Sequence, residues 1–86
     1  MKASHILVDT IEQVTALREQ ANALNFSSLA QAHSKCPSKA RGGDLGDFGP
    51  GQMVKPFEDA TQATPVGSIS QPVQTQFGWH LIHRTA

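Results

Sequence analysis

The chain has 86 residues, enough for one small domain that buries roughly 60–65% of its unfolded surface. An apolar fraction of 38% supports a single core, and seven basic residues cancel seven acidic ones, so no basic stripe favours nucleic-acid binding. Apolar runs of a few residues fall far short of the roughly 20 needed to span a membrane. Met1-Lys2-Ala3 carries no apolar signal region and Cys36 has no internal disulfide partner; together these predict a cytoplasmic protein that does not engage a membrane.

Ala3 to Val8 reads as a strand with period-2 faces, on which His5 shares a side with Ala3 and Leu7. Asp9 or Thr10 caps a following helix. Ile11, Val14, Leu17, Ala21 and Leu24 recur at three- and four-residue spacing and predict an amphipathic helix over 11–24, with Asn25 as its stop. Ser27 or Ser28 caps a second short helix through Ala32, with Phe26 and Leu29 facing inward.

The tract from Ser34 to Gly51 is irregular: it holds Pro37, Pro50 and the glycines Gly42, Gly43, Gly46, Gly49 and Gly51, which mark turns and close backbone approach. Within it Asp44-Leu45-Gly46 is a very short strand. Lys55 to Ala63 is a third helix, with Pro56 suited to its first turn. Pro65-Val66-Gly67 is a turn. Ile69 and Pro72-Val73-Gln74 suggest a strand, Thr75 to Gly78 a loop, and Trp79 to Arg84 the last strand.

Strands at both ends of the chain flank the helices, which predicts an α+β domain over residues 1–86 with a small, mostly antiparallel sheet and helices packed around it. Pairing of the two ends at the sheet centre would bring His5 and His80 together. Met53 and Phe57, four residues apart at a helix start, add an apolar pocket. A site both greasy and hydrogen-bonded suits an apolar ring attached to a peptide bond.

Four segments carry a resemblance. They are Ser4-His5-Ile6-Leu7-Val8; Cys36-Pro37-Ser38 with Arg41-Gly42-Gly43-Asp44-Leu45-Gly46; Gly51-Gln52-Met53-Val54 with Pro56-Phe57-Glu58; and Thr75-Gln76-Phe77-Gly78-Trp79-His80-Leu81-Ile82. In this order and spacing the chain resembles the parvulin-type peptidyl-prolyl cis/trans isomerases, in their minimal single-domain form, from Ala3 to Arg84. The resemblance implies four antiparallel strands with about four helices, and catalysed rotation about Xaa-Pro bonds without a cofactor. Carried over by position, His5 and His80 are the paired histidines, Cys36 stands at the family's Cys-or-Asp position, and Thr75 hydrogen-bonds the pair. Met53, Phe57 and Leu45 form the proline-ring pocket, Phe77 an aromatic wall, and Gln52 a contact to substrate backbone. The implied partners are Xaa-Pro peptides and unfolded or partly folded proteins, met by a monomer.

Competing chemistries are weaker. His80 and His83, three apart on a strand, point to opposite faces, and His5, His80 and Cys36 alone would take zinc only adventitiously, so no functional metal is expected. No orienting acid or oxyanion element supports a cysteine hydrolase, and the glycine tract lacks the Lys-Ser/Thr ending of a phosphate loop. The main alternative is a proline-peptide binding module or holdase with little catalysis. Phospho-directed parvulins carry a basic cluster after the first strand; here Asp9-Thr10-Ile11-Glu12 is short and acidic, which predicts no phosphate preference.

Overall fold

The computed structural model describes residues 1–86. Seven regular elements and one 3-10 turn follow in order: β1 (Lys2–Val8), α1 (Ile11–Gln20), α2 (Phe26–His33), the 3-10 turn Pro37–Arg41, β2 (Asp44–Asp47), α3 (Lys55–Ala63), β3 (Val73–Thr75) and β4 (Gly78–Arg84). The strands form one antiparallel sheet in the order β2-β1-β4-β3. The chain ends therefore meet at the sheet centre, as expected, with Ala3 opposite Arg84 and Val8 opposite Trp79.

Alternation along β1 and β4 gives the sheet two buried faces. Ile6, Val8 and Leu81 pack with Val14, Leu17, Phe26 and Ala30 beneath α1 and α2. Ala3 and Ile82 pack with Phe48 and Phe57 beneath α3. His5 and His80 belong to this second face, because His5 lies opposite Ile82 and His80 opposite Leu7. His83 points to the first face, its ring 5.4 Å from that of Phe26.

Several boundaries differ from the sequence reading. α1 ends at Gln20, not 24, and Leu24 is 95% exposed. The cause is a reciprocal turn: Asn22 Oδ1 accepts the Leu24 and Asn25 N–H groups while Asn25 Oδ1 accepts that of Asn22. Side chains of this kind compete with the helix ladder for backbone partners. Asn25 then opens α2, which starts at Phe26, ahead of the serines expected to cap it. The irregular tract contains the unforeseen 3-10 turn, begun by Pro37 in its first turn. β3 is Val73–Thr75, and Ile69 contributes only an isolated bridge to His83.

Two glycines let the backbone press against β1. Gly43 has φ 83°, and a Cβ there would lie 2.3 Å from the His5 carbonyl oxygen; its own carbonyl accepts the His5 N–H at 2.9 Å. Gly78 has φ 138°, and a Cβ would lie 2.6 Å from Val8 O. No helix is long and apolar enough to cross a membrane.

Candidate active site

The sheet register brings the two histidines together diagonally. His5 Nδ1 and His80 Nδ1 are 2.9 Å apart, with ring centroids separated by 5.1 Å and planes inclined by 17°. His80 Nε2 lies 2.7 Å from Thr75 Oγ1, which also accepts the Phe77 N–H at 3.2 Å. The result is a relay, Thr75–His80–His5. It can run with Thr75 donating to His80 Nε2 and His80 Nδ1–H to His5, or in the reverse sense with complementary tautomers. Either way it ends at His5 Nε2, which is buried and has no hydrogen-bond partner.

Burial shapes the electrostatics. Desolvation lowers the His5 pKa to about 4, with the neighbouring His80 adding to the effect, and desolvation lowers His80 to about 4 as well. Both rings are neutral near pH 7, which lets one donate and the other accept. Phe57 stands edge-on to both, 5.5 Å from His5 and 5.2 Å from His80.

Beside the pair opens a cleft of about 480 Å³ lined mainly by apolar side chains. Met53 and Phe57 form part of it with Leu45, and Phe77 stands at its rim, 60% exposed. His5, Cys36 and Gln52 also line it. His80 and Thr75 do not line it; they connect to it through His5.

The local sequence explains these positions. Pro56 sits in the first turn of α3 and Phe57 points from that turn into the core, 3% exposed. The loop before it is tied down by two side chains: Gln52 Oε1 accepts the Gly49 N–H at 2.8 Å and Glu58 Oε1 accepts the Gly51 N–H at 2.7 Å. The Gln52 side-chain Oε1 is thus engaged in folding the loop that presents Met53, while Gln52 still lines the cleft.

Cys36 is half-buried. Its thiol hydrogen-bonds neither imidazole, so Thr75 is the one side chain outside the pair that bonds to it. Ser34, which the sequence reading passed over, holds Cys36 in place: its buried hydroxyl oxygen accepts Leu7 N–H at 3.0 Å and Cys36 N–H at 3.3 Å. Nothing in its local pattern marks it, since its one hydroxyl oxygen accepts from β1 and from a residue two along its own chain.

An apolar cleft backed by neutral, buried imidazoles on an antiparallel sheet is the combination the parvulin resemblance implies. Residues 5–86 match the rotamase family described as the PPIC-type PPIase domain. The chain belongs to this family, the parvulin-type peptidyl-prolyl cis/trans isomerases. Peptidyl-prolyl cis-trans isomerase Pin1 of Digitalis lanata is 52% identical over 79 residues, 90% of this chain and 67% of its own length. Foldase protein PrsA 4 of Bacillus cereus is 44% identical over 87 residues, 99% of this chain but only 31% of the foldase. The solution structure of NmPin, the parvulin of Nitrosopumilus maritimus, matches with a TM-score of 0.79 at 37% identity, covering 100% of this chain and 95% of that one.

Proposed function

We propose that this domain accelerates cis/trans rotation about Xaa-Pro bonds by a non-covalent route and without phosphate preference. The observation that carries the reading is the apolar cleft, with Met53, Phe57 and Leu45 in its lining, set against a buried, neutral imidazole pair.

Amide resonance sets a rotation barrier of about 18–20 kcal/mol, so uncatalysed Xaa-Pro exchange takes tens to hundreds of seconds. Each ~1.4 kcal/mol removed gives tenfold in rate. The planar amide is charge-separated and the twisted one is less so, so an apolar surround favours the twist. Met53 and Phe57 hold the ring, the thioether adapting to its pucker. The preceding carbonyl turns beside Cys36, whose thiol serves as a hydrogen-bonding and polarising group. A thiolate adduct at that carbonyl would add bond-making and bond-breaking steps that rotation does not need. His5, His80 and Thr75 keep the wall behind the ring polar, uncharged and rigid, and Phe77 covers the rim.

The substrates are Xaa-Pro peptides and unfolded or partly folded proteins. Residues 1–86 are read as one domain acting as a monomer, and a single unpaired thiol suits the reducing cytoplasm.

NMR exchange spectroscopy on Ala-Xaa-Pro-Phe peptides with catalytic amounts of protein tests the reading. Cis/trans cross-peaks should appear with the parent and fade with Met53→Ala. Peptide shift changes without faster exchange would make it a binding module or holdase and the histidine pair structural. A strong rate gain from phosphoserine before proline would overturn the absence of phosphate preference.

A further inference from the structure

One charged side chain lines the otherwise neutral cleft. Lys35 is the chain neighbour of Cys36 and contributes to the same wall as Leu7. Its backbone is fixed there, with Lys35 N–H donating to Leu7 O at 2.8 Å. Its ammonium does not stand alone, because it pairs with the Asp9 carboxylate just past the end of β1. Each of the two side chains is 56% exposed. Thr10 caps α1, its Oγ1 accepting the Gln13 N–H while Gln13 Oε1 accepts the Asp9 and Thr10 N–H groups, which leaves the Asp9 carboxylate free of that duty.

We propose that Lys35 is the residue that senses charge on the substrate side chain preceding proline, and that Asp9 masks it so that neutral side chains are preferred. The inference rests on the isomerase reading, in which the carbonyl preceding proline turns beside Cys36; the side chain of that same residue then lies toward Lys35. A substrate carboxylate arriving there meets a cation whose partner is already in place. It must displace Asp9 or sit beside it, and two carboxylates on one ammonium repel. Removing the Asp9 charge releases an exposed ammonium into the cleft. An exposed pair of this kind shifts a preference by about two- to fivefold, and salt screens it.

The test compares kcat/KM for Ala-Glu-Pro-Phe and Ala-Gln-Pro-Phe by exchange spectroscopy, in the parent, Asp9→Asn, Lys35→Met and the double variant. The Glu/Gln ratio should rise about two- to fivefold in Asp9→Asn at low salt and fall back at high salt. It should return to the parent value in the double variant. Lys35→Met alone should lower it by about two- to fivefold, because the Asp9 carboxylate is then left unpaired beside the cleft. An Asp9→Asn ratio equal to that of the parent overturns the proposal. So does a Lys35→Met ratio equal to the parent's, which would mean that the pair does not reach the substrate side chain. If the parent exchanges neither peptide, the isomerase reading fails instead. The same ratios are then taken from Kd values by shift titration, and the same thresholds decide the masking.

Discussion

His5 and His80 are not cross-strand partners, yet their Nδ1 atoms lie 2.9 Å apart. Each faces an aliphatic residue, His5 opposite Ile82 and His80 opposite Leu7, and the imidazoles meet across the diagonal. A one-residue slip of β4 against β1 would send His80 to the α1/α2 face and dissolve the site. The geometry of the imidazole pair and the strand register are therefore one property of this fold.

The pair also makes stability depend on pH. Both histidines titrate near 4 when folded against an ordinary 6.5, so the unfolded chain binds more protons between those values. Stability is full above about pH 6.5 and falls as pH drops toward 4. The loss approaches tenfold in the folding equilibrium per pH unit for each proton taken up. Urea midpoints across pH 4–7.5 should fall on acidification, and His5→Gln should flatten the slope. A flat profile in the parent would show that burial does not neutralise the rings.

Thr75 joins the relay to the turn before β4 through His80 Nε2 and the Phe77 N–H. Thr75→Val keeps the strand preference and leaves His80 Nε2 without its partner, at a cost of about 1–3 kcal/mol, while water takes the exposed Phe77 N–H. Exchange rates should fall, and Thr75→Ser should recover most of both losses. Equal rates in the valine and serine variants would remove the hydroxyl from the mechanism.

Met53 and Phe57 separate binding from folding. Met53 is half-buried at the cleft, so Met53→Ala should raise KM and lower exchange while shifting the denaturant midpoint little. Phe57 is core for α3, Phe48 and both imidazoles, and Phe57→Ala should cost about 3–5 kcal/mol as well as activity. Denaturant curves measured beside exchange rates would reveal whether the two costs divide this way.

Cys36→Asp should keep most of the exchange activity, since its role needs a polar group and not a nucleophile. Complete loss in a variant that folds with the parent's midpoint would revive covalent attack.

Gly43→Ala should be among the most damaging small substitutions. It meets the His5 carbonyl oxygen at 2.3 Å in a left-handed conformation, and relief must move β1 at His5 itself. Loss of cooperative unfolding, or a midpoint far below the parent's, is expected by circular dichroism; Gly49→Ala, with open space around its Cβ, is the control.

Much of this was legible in one dimension. Period-2 alternation placed His5 and His80 on buried strands, and the strands at the chain ends pointed to central pairing. The Met-Phe spacing at a proline-started helix marked the pocket. Motif order identified the family because each motif maps to a short stretch of chain that folds locally. What the tertiary structure alone decided are relations between distant residues. The diagonal imidazole contact depends on register, and the relay through Thr75 on a turn. The Oε1 of Gln52 and the hydroxyl of Ser34 are engaged by backbone groups that only folding brings near, and the Lys35–Asp9 pair spans 26 positions in sequence. Asn22 and Asn25 ended a helix that apolar spacing would have continued, because a local side-chain turn satisfied the backbone in place of the next helical turn. Sequence periodicity fixes which face a side chain takes; hydrogen-bond partners at long range are fixed only when the faces are assembled.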